Sequence, residues 1–174
     1  MSGTKEWITR LAAHERCETI PPEEDVFGRF IGRWQVRLAI HEPDGVNQAY
    51  NGEWHFSRIL KGRAVQDVWI IPSMNKMTSD NDYFHEYGTS IRTYDPESSK
   101  WKVVWVGPIQ HHFFVFDVCR TGEDIILEEC SQTKLKMKWT FYDIAANSFQ
   151  WKSEVYIRKM KGWFTNYHMS VKRM

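Results

Sequence analysis

Gln66 and Asp67 stand side by side in the stretch from Arg63 to Ile71, which is apolar on both alternating faces: Ala64, Val68 and Ile70 on one, Val65, Trp69 and Ile71 on the other. At least one of the two polar side chains must therefore lie in apolar surroundings, and a buried carboxylate needs a partner. Arg92, on the strand that follows, can supply one as a bidentate guanidinium, which makes a structural ion pair the first reading of Asp67. Should Asp67 instead face the interior unpaired, desolvation would raise its pKa and make it a usable proton donor or base. Asp67, Arg92 and Tyr167 are then the candidate catalytic residues.

Other chemistry is sparse. His14, His41, His55, His85 and His168 are scattered, and His111 and His112 project to opposite faces if extended, so no metal-ligand spacing is present and no metal or cofactor is assigned. The two neighbouring histidines are expected in a loop near the mouth of the fold. Glu128 and Glu129 diverge across a sheet and cannot form an acid/base pair on one face. There is no nucleophile elbow, no phosphate-cradling glycine loop and no Cys-x-x-Cys.

The elements that would position these groups are mostly strands. Thr4 can cap a short helix carrying Trp7, Ile8, Leu11 and Ala12 as an apolar stripe, expected to dock against the body of the protein and to cover the strand that is apolar on both sides. Pro22, followed by Glu23, Glu24 and Asp25, starts a second, brief helix ending near Gly28 or Gly32. From Phe30 onward the period changes to two. Trp34, Val36, Leu38 and Ile40 share one face, and Glu42-Pro43-Asp44-Gly45 forms a turn. Tyr50, Gly52, Trp54 and Phe56 share a face on the next strand.

Residues Ser73 to Glu86 read as a polar loop containing Met74, Met77, Tyr83 and Phe84, long enough to serve as a lid or binding loop. Seven further strands are expected near 87–94, 101–106, 113–119, 124–130, 134–141, 149–157 and 163–172. Their inner rows are Trp101, Val103 and Trp105; Leu135, Met137, Trp139 and Phe141; Phe149, Trp151, Val155 and Ile157; and Trp163, Thr165, Tyr167, Met169 and Val171. Lys134, Lys136, Lys138 and Lys152 fall on the outside, as lysine commonly does on a solvated strand face. Roughly 8–10 short antiparallel strands with tight turns and no intervening helix make an all-β, closed barrel with a short N-terminal helix. Residues 1–27 form the helix and lead-in, and residues 28–174 the barrel.

Composition agrees with one domain. The chain has 174 residues, 42% of them hydrophobic and 15% aromatic, with nine Trp that require a broad apolar interior. A net charge of +1, from 23 basic and 22 acidic residues, supplies no field to steer the protein onto nucleic acid or an anionic membrane. No apolar stretch approaches the ~20 residues of a spanning helix. The N-terminus does not read as a secretory signal, and Cys119 and Cys130 lie on one hairpin at positions too far apart to bridge, so a cytoplasmic location is expected.

Gly32-x-Trp34 at the start of the first strand resembles the first signature of lipocalins and their calycin relatives, in which a late arginine packs over the tryptophan. Arg173 stands where that residue would be expected. Gly62-Arg63-Ala64-Val65-Gln66-Asp67-Val68-Trp69, together with Gly52-Glu53-Trp54-His55-Phe56, Gly88-Thr89, Arg92, Tyr94-Asp95-Pro96, Trp101 with Trp105, Trp139-Thr140-Phe141 and Phe149-Gln150-Trp151, resembles an uncharacterised bacterial family of calycin-like barrels over about residues 28–174. Near the C-terminus that family tends to carry Gly-Gly-Thr-Trp, where this chain has Met160-Lys161-Gly162-Trp163-Phe164. The resemblance implies a calycin-like fold and a small-molecule pocket.

Its expected partner is a small hydrophobic molecule, aromatic or polyene, held as cargo or signal, with a homodimer allowed. The expected walls are Trp54, Phe56, Gln66, Trp69, Trp105, Met137, Trp139 and Trp151, with Ser153 and Thr165 as hydrogen-bonding groups. The alternative is a cofactor-independent cyclase or isomerase that folds a hydrophobic intermediate in the same cavity, using ring faces to stabilise cationic charge.

Overall fold

The computed structural model describes residues 2–43, 45, 47–74, 85–130 and 136–174. Met77, Tyr83 and Phe84 of the expected lid, Asp44 of the expected turn, and Lys134 and Leu135 lie outside the described residues. A helix, α1 (Ser2–Leu11), leads through the two-residue β1 (Ala12–Ala13) and two single-turn 3₁₀ helices at Pro22–Glu24 and Gly28–Phe30 into ten long strands. These are β2 (Gly32–His41), β3 (Asn47–Ile59), β4 (Ala64–Ile71), β5 (Glu86–Asp95), β6 (Lys100–Gly107), β7 (His112–Thr121), β8 (Asp124–Glu129), β9 (Met137–Tyr142), β10 (Ser148–Ile157) and β11 (Gly162–Arg173).

Each strand pairs antiparallel with the next, and β11 returns to β2, so the sheet closes on itself. The period-two pattern causes this arrangement: every strand has an apolar row to hide, and closure hides all of them together. Seven tryptophans, Trp34, Trp54, Trp69, Trp101, Trp105, Trp139 and Trp151, are buried inside. Trp69 is among them, as expected of a wall residue, whereas Trp163, also expected on an inner row, is exposed.

The outward position of Trp163 has a local cause. Between Ser153 and Glu154 the β10–β11 register shifts: Ser153 faces Tyr167, but Glu154 faces Thr165, leaving Asn166 as the extra residue on β11. A one-residue bulge reverses every side chain beyond it. Met169 and Val171 therefore point inward as expected, whereas Trp163 and Thr165 point outward. Trp163 lies on the outer face with the Lys138 ammonium 4.4 Å from its ring centroid. Lys138 and Lys152 flank Glu154 on that same face at 3.4 and 3.1 Å.

The lead-in forms the barrel's stopper. Phe27 and Phe30 are buried at one end, Phe27 edge-on to Trp101 at 5.1 Å and Phe30 against Phe149 at 4.8 Å. The Trp101 indole N–H donates to Glu24 O at 2.7 Å, and Arg58 pairs with Asp25 at 2.5 Å. Here the helix α1 departs from expectation. Trp7 and Ile8 are exposed, so its stripe does not cover β4. An amphipathic spacing shows that a helix has an apolar face, but not that the face is buried.

Arg173 does pack over Trp34, its guanidinium carbon 4.1 Å from the ring centroid. It donates to three backbone carbonyls, Ile31 O at 2.9 Å, Arg29 O at 3.1 Å and Ala146 O at 3.2 Å, while the Trp34 N–H donates to Phe30 O at 2.6 Å. The clasp joins stopper, first strand and last strand. Arg173→Met keeps the aliphatic bulk but removes the contact over the Trp34 ring and the part-buried bond to Ile31 O, and is expected to cost about 1–2 kcal/mol in urea unfolding. A loss below about 0.5 kcal/mol would show that the clasp is incidental.

Cys17, Cys119 and Cys130 are free. No helix among the described residues is long and apolar enough to cross a membrane.

Candidate functional site

Opposite the stopper, the lumen opens into a cavity of about 110 Å³. Four indoles contributed by β4, β6, β9 and β10 close a square within it. Trp69 to Trp105 is 5.5 Å between ring centroids, Trp105 to Trp139 is 5.8 Å, Trp139 to Trp151 is 5.4 Å, and Trp151 to Trp69 is 6.1 Å. Trp54 touches Trp69 and Trp151 from the closed-end side, so it supports this square without lining the cavity.

Two glycines seat Trp105. A Cβ on Gly88 would fall 2.5 Å from the far edge of the ring, and one on Gly107 would fall 2.8 Å from its Nε1 and 2.6 Å from Glu86 Oε2. Here glycine supplies space.

Toward the mouth the lining turns polar: His85, Glu86, Gln110, His112, Ser153, Asn166 and Tyr167 join Phe114, Met137 and Val155. Asn166 is present because of the bulge. The Asn166 Oδ1 acceptor and the indole N–H groups of Trp69 and Trp151 are buried without a hydrogen-bond partner among the described residues. Orphaned polar atoms on residues that line a cavity are positions that a guest can satisfy.

Glu86 was expected in a loop. It is instead the first residue of β5, directed inward and buried. Burial pushes its carboxyl above the ordinary carboxylate range, partly offset by the Tyr87 and Ile109 N–H groups that donate to it. Burial likewise lowers His85, and lowers His112 with a smaller contribution from the charge of His111. His112 opens β7 at the mouth, close to the position expected for it.

The signs of these shifts differ. A raised carboxyl means that the folded state holds the Glu86 proton more tightly than the unfolded chain, so stability falls as pH rises from the unfolded carboxylate value through the folded one. The lowered histidines act oppositely, removing stability as pH falls below their unfolded value. Glu86→Gln isolates the carboxyl. The variant should match the parent near pH 4 and melt at a higher temperature near pH 7, whereas equal melting at both would show that the carboxyl titrates normally.

Of the residues singled out from sequence, Trp69, Trp105, Met137, Trp139, Trp151, Ser153 and Tyr167 line this cavity. Phe56 lies below it against Trp54 and Phe30. Gln66 does not reach the lumen: it sits on the outer face of β4 and donates to Thr89 Oγ1 at 3.1 Å. Thr165 also lies outside, for the reason given by the bulge.

Asp67 and Arg92 are buried together on inner positions toward the closed end, outside the cavity lining. Arg92 Nη2 donates to Asp67 Oδ2 at 2.6 Å, and the Ser90 N–H donates to Oδ1 at 2.7 Å. The guanidinium carbon lies 5.1 Å from both the Phe27 and Phe56 ring centroids. The condition for Asp67 to move protons, an unpaired carboxyl facing the guest, is not met.

A larger concavity of about 610 Å³ is an open groove on the outside, lined mostly by polar residues such as Gln35, Arg37, Gln150 and Lys172. It encloses nothing. Among the described residues no three His, Cys, Asp or Glu side chains are grouped to hold a metal ion.

No family model matches the sequence, and no curated protein matches it. In three dimensions the chain is similar to Rv2717c from M. tuberculosis, with a TM-score of 0.59 at 12% identity over 89% of this chain and 99% of that one. It is also similar to the S-type phycobiliprotein lyase CPES from Guillardia theta, with a TM-score of 0.59 at 10% identity over 90% of this chain and 95% of that one. Both likenesses bear out the closed all-β barrel fold.

Proposed function

We propose that the protein binds one compact aromatic molecule in the upper lumen, as a carrier or sensor. The observation that carries this reading is the indole square opening onto a cavity of about 110 Å³. A flat ring gains offset or edge-on contacts with several indoles at once, and a polar substituent can meet the orphaned N–H groups. The volume favours a single ring over a long polyene, whose chain would have to protrude through the mouth. The likeness to a phycobiliprotein lyase supports the same kind of use, because the fold there belongs to a protein named for work on a pigment protein.

Benzyl alcohol is a suitable neutral probe. It is expected to quench or shift tryptophan emission saturably and to raise the melting temperature, as any ligand confined to the native state does. Absence of saturable binding, with an unchanged melting temperature, would end this reading.

A further inference from the structure

The polar half of the cavity has a charge character of its own. Among the described residues its lining includes no lysine and no arginine, and its one carboxyl is Glu86. That side chain belongs to a residue 3% exposed, and no cation pairs with it among the described residues. Backbone N–H groups hold it in place. A carboxylate removed from water without a counter-ion is costly unless a cation arrives to meet it.

The remaining surroundings point to the same charge. Indole faces are negative and attract cations within about 6 Å of the ring centroid. Asn166 Oδ1, an acceptor without a partner, can take an N–H. Among the described residues, His85, His112 and Tyr167 are the other titratable groups that line the cavity with Glu86. From these we propose that the guest is an organic cation, a single aromatic ring bearing a protonated amine, with the ring among Trp69, Trp105, Trp139 and Trp151 and the ammonium between Glu86 and Asn166. This rests on the aromatic-guest reading above and adds the charge.

Benzylammonium and benzyl alcohol have nearly the same shape and differ in charge, so calorimetric titration of the unaltered protein with each separates the two ideas. The ammonium should bind about ten-fold tighter at neutral pH. Glu86→Gln should reduce that ratio to within about two-fold. Equal affinities for the unaltered protein would overturn the cation assignment and leave the aromatic guest standing. Binding of neither would overturn both. A preference that survives Glu86→Gln would remove Glu86 as its source.

Discussion

Asp67→Ala is expected to destabilise the protein by about 3–5 kcal/mol, among the largest effects of any single substitution. The reason is what remains behind. Arg92 is buried among Phe27 and Phe56, and its Nε and Nη1 already lack partners among the described residues, so Asp67 carries its one charge-balancing contact. Asp67→Asn, which keeps an acceptor for the Ser90 N–H but removes the charge, should lose nearly as much. The double replacement Asp67→Leu with Arg92→Met should recover much of the loss, because it removes both charges and leaves apolar bulk among apolar neighbours. Equilibrium urea unfolding gives each value. A loss under about 1 kcal/mol for Asp67→Ala would mean that solvent reaches the guanidinium.

Trp151→Ala is expected to cost a similar amount, about 3–5 kcal/mol, by a different route. Its indole touches Trp54, Trp69 and Trp139 at centroid distances of 6.1, 6.1 and 5.4 Å, and a closed barrel has little freedom to collapse around the missing ring. The void should merge with the existing cavity. The variant should then accept a two-ring probe such as 1-naphthol that the parent binds weakly or not at all, and saturating probe should restore part of the lost melting temperature. If 1-naphthol binds parent and variant alike, Trp151 does not bound the guest space.

Much of the barrel was legible because each strand repeats the same rule over six to thirteen residues, and errors of a residue or two at an end leave the inner row unchanged. Trp139 with Trp151 could be placed from parity alone, whereas Arg173 over Trp34 came from the resemblance to calycins. What escaped notice depended on single residues. Parity cannot reveal an inserted position, so the bulge at Asn166 sent Trp163 and Thr165 to the outside. β4 is apolar on both sides, so only its pairing with β3, Phe56 opposite Asp67 and Trp54 opposite Trp69, decides that Asp67 faces in and Gln66 out. Glu86 was hidden by polarity. A buried acid at the end of a strand looks, in sequence, like the last residue of a loop. Nor does any local pattern announce that Phe27 plugs the barrel, since a lone aromatic in a turn has no period.

Nine of the ten pairings around the ring join strands adjacent along the chain, and the tenth, β2 with β11, joins its distant ends. Hairpins of the first kind can assemble on their own as short loops close, whereas the last seam must wait for all the others and bears the entropy of the longest loop. The Trp34–Arg173 contact lies on that seam. Substitutions there should act late in folding, mainly by hastening the escape from the finished state, while those in the early hairpins should slow the approach to it.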